Sequence, residues 1–271
     1  MKNFTSIFIA LVIIAGIYSI AESTELTKSE YKTRIIAHRG ASAYAPENTM
    51  AAFKAALDLK AEMFELDIHK TLDGKFVVIH DDTTERTTGF IGAVAFMNYS
   101  TIKNLDAGSL FNEKFKGEPV PLLKDVLKWA KGKIQVNIEI KSAGCEKAVV
   151  AYINKIDMKN DIIVTSFHHE YLKTIKEMDP DIRTGALVKD ITSPSQLDEI
   201  IEACHPDAVN PRYILVNKKI VKEAHKRGLA VNPYTVNDAI SMKKLISAGV
   251  DGIITNYPDV LRTVLENMNS K

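Results

Sequence analysis

His38 and Arg39 end one short apolar run, Glu65 and Asp67 lie in a second, and His80 closes a third. Imidazoles exchange protons near neutral pH, and a guanidinium fork matches a phosphate better than an ammonium does. Residues two apart in a strand face one side, so Glu65 and Asp67 point together, and Asn137, Glu139 and Lys141 alternate in the same way through 136–141. Carboxylates gathered inside a fold are costly without a cation. Three of them, Glu65, Asp67 and Glu139, with no Cys nearby, favour a hard divalent ion with oxygen ligands, Ca²⁺ or Mg²⁺, over zinc.

Only Thr71-Leu72-Asp73-Gly74 separates the second run from the third. A parallel crossover needs about a dozen residues, so the spacing predicts an antiparallel hairpin with Asp73-Gly74 as its two-residue turn. That register pairs Leu72 with Lys75 and Asp67 with His80, which returns the second imidazole to the level of the carboxylates.

Stepping outward, β-branched runs recur at 34–37, 63–68, 134–140, 162–166, 183–188, 207–210, 229–235 and 252–255. Helical periodicity fills 48–59, 122–130, 146–155, 171–178, 194–203, 218–227, 238–248 and 259–267. This alternation predicts an α/β fold, a (β/α)8 TIM barrel carrying the extra hairpin after its second strand. No Gly-x-Gly-x-x-Gly follows the first strand to support an open dinucleotide-binding sheet. At 271 residues and 46% apolar, the chain suffices for one such domain over 34–271.

Lys2, the apolar run 7–20 and Ser19-Ile20-Ala21 have the plan of a secretory signal peptide over 1–21, with a polar lead-in over 22–33. Export to a periplasmic or extracellular site is expected, with no membrane span after cleavage; an uncleaved N-terminal anchor is the alternative. Cys145 should follow a strand and Cys204 end a helix, on opposite faces, so two free thiols are expected. Lys+Arg and Asp+Glu nearly cancel, 35 against 34, which sets nucleic acid aside as a partner.

In order along the chain, Ala37-His38-Arg39-Gly40, Pro46-Glu47-Asn48-Thr49, Glu65-Leu66-Asp67, Asp73-Gly74, His80-Asp81, Glu139-Ile140-Lys141, Thr235-Val236-Asn237 and the run Gly249-Val250-Asp251-Gly252-Ile253-Ile254-Thr255-Asn256-Tyr257-Pro258 resemble the glycerophosphodiester phosphodiesterases. The match spans about 34–260, close to the whole mature chain. The resemblance implies a metal-dependent barrel that cleaves glycerophosphodiesters to glycerol 3-phosphate and an alcohol. It implies Glu65, Asp67 and Glu139 as ligands of one divalent cation and His38 and His80 as acid and base. It further implies Arg39 and Lys141 as phosphate contacts. Many members carry Trp before Thr-Val-Asn; here Pro233-Tyr234 stands there, which makes Tyr234 a substrate-facing candidate.

Each candidate has a plainer reading. His38 and His80, taken singly, read as core histidines; as a pair beside three carboxylates they read as proton-transfer groups. Arg39 is expected to pair with Glu65 or Asp67 in one state and to meet phosphate in another. Glu139 and Lys141 have a structural ion pair as the alternative. Asn48 is expected to cap a helix, and Glu47 is balanced between that helix start and a contact to substrate or ion. Asp81 and Asp82 read as loop charges or as holders of one His80 tautomer. His69 is read as alternating away from Asp67 and is grouped with His168, His169, His205 and His225 as structural or surface. Phe167, Tyr234 and Tyr257 sit at strand ends where they line a pocket, with core packing the equal alternative for Phe167. Phe90, Phe96, Met97, Tyr99, Leu110 and Phe111 suggest a modest lid within 81–133. The rival activities are a phospholipase D or phosphatidylinositol-type phospholipase on the same barrel, and a non-catalytic glycerophosphodiester-binding protein.

Overall fold

Ile35, Ile36 and Ala37 are buried and suit a two-sided strand, and β1 (Arg34–Ala37) forms on them. The computed structural model describes residues 31–270. The other strands are β2 (Met63–Lys70), β3 (Phe76–Val78), β4 (Gln135–Ile140), β5 (Ile162–Ser166), β6 (Arg183–Val188), β7 (Ala208–Pro211), β8 (Ala230–Val231) and β9 (Gly252–Thr255). Eight of these are parallel in the order β8-β7-β6-β5-β4-β2-β1-β9. Bonds from Asp251 N to Val231 O at 3.0 Å and from Val236 N to Ile254 O at 2.9 Å draw the two edges together. The result is a nearly closed (β/α)8 barrel, as the alternation of runs predicts.

Helix α1 (Met50–Asp58) joins β1 to β2, and three helices lie between the hairpin and β4: the short α2 (Glu85–Thr88) and α3 (Tyr99–Ile102), then α4 (Leu123–Ala130). The rest of the outer ring is α5 (Glu146–Ile156), α6 (His169–Met178), α7 (Ser195–Cys204), α8 (Lys218–Lys226), α9 (Ala239–Ala248) and α10 (Pro258–Asn269). Strand alternation makes two cores. Ile36, Met63, Ile163, Ala208 and Ile254 fill the barrel interior. Ile35, Phe64, Leu66, Ile68, Val136 and Ile138 face the other way, into the larger shell beneath the helices.

Four local expectations need correction. The strand expected over 229–235 is only Ala230–Val231 as β8, because Pro233 has no N–H to give a ladder. Asn48 does not cap α1; Thr49 does, its Oγ1 accepting from Ala52 N, while Asn48 stands at φ +60°. The hairpin pairs Ile68 with Val78 and Lys70 with Phe76, one residue off the expected register. Its loop has three residues, since Thr71 N donates to Lys75 O and the Thr71 hydroxyl both donates to Asp73 and accepts from Lys75 N. Asp73 is thereby tied to the loop, and Gly74 takes the left-handed position at φ +70°. Lastly, Met97 and Tyr99 pack on a satellite core that joins Val77 and Ile79 of the hairpin arm to Val94, Ile102 and Leu122 rather than forming a lid; Phe90, Phe96, Leu110 and Phe111 are exposed.

Cys145 and Cys204 are buried free thiols, one preceding α5 and one ending α7. The expected signal peptide over 1–21, and the lead-in up to residue 30, lie outside the described residues. Among the described residues no helix is long and apolar enough to cross a membrane.

Gly40 carries the tightest backbone approach near the top of β1. It has φ +79°, and a Cβ there would lie 2.6 Å from the Ala52 carbonyl carbon. Gly74 has the same φ problem with open space around it. Gly40→Ala is expected to lower the stability by about 2–4 kcal/mol in urea denaturation, against about 1–2 kcal/mol for Gly74→Ala. Equal losses at the two sites would show that the contact with α1 is not what requires glycine.

Candidate active site

The upper ends of the strands set the site. His38 directly follows β1 and Asn256 directly follows β9, and the register Ala37 to Thr255 places them side by side. His38 N donates to Thr255 O at 2.8 Å, and His38 Nδ1 meets Asn256 Oδ1 at 2.7 Å. An amide oxygen there accepts from Nδ1–H, so the lone pair sits on Nε2. His38 lies on the cavity wall, and its pKa is lowered to about 4, first by burial and then by the Arg39 charge beside it. It is a neutral imidazole at pH 7.

Registers of β2 and β4 put Glu65 opposite Asn137 and Asp67 opposite Glu139. Ligand oxygens of Glu65, Asp67 and Glu139 all lie within 4.8 Å of one another. Burial, and then neighbouring carboxylates, push Glu65 and Glu139 up. Burial acts on Asp67 too, but Arg39, Lys141 and His80 more than offset it and hold its carboxyl down. Lys141 Nζ bonds Glu139 at 2.8 Å and lies 3.6 Å from Asp67. Even so, Glu65 Oε1 and Asp67 Oδ1 are buried without a hydrogen-bond partner.

Arg39 stands at φ +53°, an uncommon backbone for a side chain of its size. Its backbone N donates to Glu65 Oε2 at 2.8 Å, its Nη1 bonds Glu47 at 2.9 Å, and its Nε lies 3.4 Å from Asp67. Arg39 therefore pairs with the acids as expected, through Asp67 rather than a side-chain pair to Glu65. Asn48, freed from the cap, donates from Nδ2 to Asp67 Oδ2 at 2.8 Å and accepts from Asp67 N at 3.2 Å.

His80 arrives by a different route from the one its spacing suggests. With the corrected register, Asp67 O accepts from Ile79 N, and a one-residue slip alone would turn His80 to the other face. However, β3 ends at Val78 and the chain bends at His80. The bend is held from below by His69, whose Nε2 donates to the His80 carbonyl at 3.0 Å. His69 is two residues from Asp67, hence on the same side, and the expectation that it alternates away is wrong. The His80 ring is held by Asp81, Nδ1 to Oδ1 at 2.7 Å.

A cavity of about 130 Å³ joins His38, Arg39, Glu65, His80, Glu139 and Lys141, with Phe167 and Tyr234 on its wall. That volume is roughly four waters, enough for a phosphate-sized group but not for a whole lipid-like molecule. Phe167 and Tyr234 meet edge to face at 5.9 Å, and the Tyr234 hydroxyl donates to Val188 O. Tyr257 stands outside this wall, edge to face with Tyr44. Glu47 is not among the clustered carboxylates; it sits between Arg39 and Arg86. A larger cavity of about 730 Å³ opens elsewhere, among Arg34, Glu62, Lys133 and Arg183, but holds none of these groups. The chemistry sits at the small one.

Arg86, Asn48, Asn256 and His69 are the site residues that spacing did not single out. Asn256 alone had a readable signal, since it follows the strand that neighbours β1. Arg86 lies on α2, in a connection without periodicity.

A family model described as the glycerophosphoryl diester phosphodiesterase family matches residues 38–260. A glycerophosphodiester phosphodiesterase of Caldanaerobacter subterraneus is 40% identical over 237 residues, covering 85% of this chain and 96% of that protein. One from Bacillus subtilis is 35% identical, covering 84% of this chain and 85% of its own. Among solved structures, a phosphodiesterase of Oleispira antarctica in complex with the product sn-glycerol-3-phosphate has a TM-score of 0.79 at 27% identity, covering 87% and 98%.

The His38 shift makes a stability prediction. With a folded pKa near 4 and an unfolded value near 6.5, the unfolded chain binds the extra proton between those pH values, so stability falls as pH drops from 6.5 to 4. The size is at most roughly 3 kcal/mol, because the ring keeps one face to the cavity. Urea denaturation in EDTA should show this loss for the parent and not for His38→Gln. A constant difference between the two across that window would refute it.

Proposed function

The chain belongs to the glycerophosphoryl diester phosphodiesterase family, and from that premise we propose a mechanism for its phosphodiesterase activity: His38 as base, His80 as acid, and a divalent cation held by Glu65, Asp67 and Glu139. The substrates are glycerophosphodiesters and the products glycerol 3-phosphate and an alcohol, a reading supported by the product complex of the Oleispira relative.

The observation that carries the metal is that Glu65 Oε1 and Asp67 Oδ1, in this carboxylate cluster, are buried without a hydrogen-bond partner among the described residues. Two cations, Arg39 and Lys141, do not balance three buried carboxylates. An all-oxygen donor set suits Ca²⁺ or Mg²⁺. When bound, the ion polarises the phosphate oxygens and offsets charge that builds on them. Arg39 presents its fork to the same oxygens, and Lys141 adds a point charge.

The two rings are held differently, and that difference supports giving them different roles. His38 is anchored by an amide oxygen and is neutral, so its Nε2 takes the proton of the attacking water or of the substrate's glycerol hydroxyl. In the latter case a cyclic phosphate forms as the alcohol leaves, and water then opens it to glycerol 3-phosphate. His80 is anchored through Nδ1 by the Asp81 carboxylate, which fixes its ring, and in this scheme it donates a proton to the leaving alkoxide. Tyr234 and Phe167 border the phosphate cavity and shape the entry of the glycerol or alcohol end.

His38→Ala and His80→Ala should each lower kcat by ~10²–10⁴-fold, read as glycerol 3-phosphate released from glycerophosphocholine and glycerophosphoethanolamine. EDTA should abolish turnover, and Ca²⁺ or Mg²⁺ should restore it. A His38→Ala enzyme with most of its activity would rule the scheme out, and full activity in EDTA would remove the metal from it.

We further propose that the chain is exported, on the strength of the apolar run 7–20 behind Lys2. N-terminal sequencing of the cell-made protein is expected to begin at Glu22; an intact Met1 would overturn cleavage.

A further inference from the structure

Arg86 is the link between two parts of the site that the barrel does not connect. Its Nε donates to Asp81 Oδ2 at 2.6 Å, and Asp81 Oδ1 holds His80 Nδ1. Its Nη1 and Nη2 donate to Glu47 Oε2 and Oε1 at 2.9 and 2.7 Å, and Glu47 Oε1 holds Arg39. His80 arrives on a hairpin outside the barrel order, whereas Arg39 and Glu47 lie between β1 and α1. The ordered path is thus His80, Asp81, Arg86, Glu47, Arg39, Asp67, with alternating charge from Asp81 onward.

We propose that Arg86 is a positioning residue that sets the His80 ring, through Asp81, and the Arg39 fork, through Glu47, at one spacing across the reacting phosphate. A planar guanidinium can serve both carboxylates at once with fixed geometry, and a lysine cannot. Electrostatics agrees, since Arg86 helps to hold both Asp81 and Glu47 below the usual carboxylate range against the opposing effect of burial. Stability is not the reason for the bridge. The Arg86 side chain is 48% exposed, and ion pairs that open to water contribute little to folding. Short helix α2 is held by other contacts, from Thr84 N to Gly92 O and from Thr84 Oγ1 to Phe90 O.

This inference rests on the acid role of His80, and the test keeps the two apart. Glycerol 3-phosphate release from glycerophosphocholine is measured for Arg86→Gln, Asp81→Asn, Glu47→Gln, the Arg86→Gln/Asp81→Asn double variant and His80→Ala, with urea midpoints for each. Arg86→Gln is expected to keep its urea midpoint, lower kcat by ~10–100-fold and raise KM. Asp81→Asn should reproduce the kcat loss alone, and Glu47→Gln the KM rise alone. In the double variant, kcat should fall no further than in Asp81→Asn, because both changes break one path. A double variant whose kcat loss is the product of the two single losses overturns the bridge while leaving the acid role intact if His80→Ala is inactive. An Arg86→Gln enzyme with parental kcat also overturns it. An active His80→Ala enzyme sinks the acid role and the bridge together.

Discussion

Glu65, Asp67 and Glu139 repel one another where burial deprives them of water, and much of the surrounding structure answers that repulsion. Burying a carboxylate costs several kcal/mol unless it is paired and hydrogen-bonded. Arg39 and Lys141 supply positive charge, Asn48 donates one hydrogen bond to the Asp67 carboxylate and accepts one from the Asp67 backbone N–H, and the Arg39 backbone N–H donates one to Glu65. These partners explain local conformations that are costly on their own. Arg39 and Asn48 both adopt positive φ, and Gly40 packs where no side chain fits, because only that path brings a backbone donor and a guanidinium onto the acids.

The two histidines reach the same cavity from unlike supports. His38 is part of the barrel wall, fixed by the pairing of β1 with β9 and by Asn256. His80 stands two residues beyond β3, which lies outside the barrel order, and it depends on the bend after β3, on the His69 hydrogen bond to its carbonyl and on Asp81. A ring fixed in the barrel wall opposite a tethered one means that geometry on the His80 side is set by side-chain bonds rather than by the strand ladder. Arg86 matters for that reason: it ties the tethered side back to the loop that carries Arg39.

Beyond the phosphate cavity the mouth is open. Phe167 and Tyr234 form an aromatic wall at one side, while Phe90, Phe96, Leu110 and Phe111 remain exposed on the long connection before β4. The cavity has room for a group the size of a phosphate, and of these side chains only Phe167 and Tyr234 line it.

Strand alternation made the inward set Glu65, Asp67 and Glu139 legible from the amino-acid order alone, because a period of two is a local property of the backbone. The barrel was legible for the same reason, through runs of β-branched residues separated by helical periods, and the shared motifs gave the family. What the order of residues misread was set by competition among neighbours in space. Thr71 captured Asp73 and lengthened the hairpin loop, Asp67 drew Asn48 away from the helix cap, and Pro233 cut β8 short. Spacing put His80 beside the acids through a register that does not exist; the bend after Val78 put it there instead. Arg86 was invisible in advance, since a hydrogen bond between residues far apart in the chain leaves no periodic trace in either segment. Asn256, though within a shared motif, met His38 only through the pairing of β1 with β9.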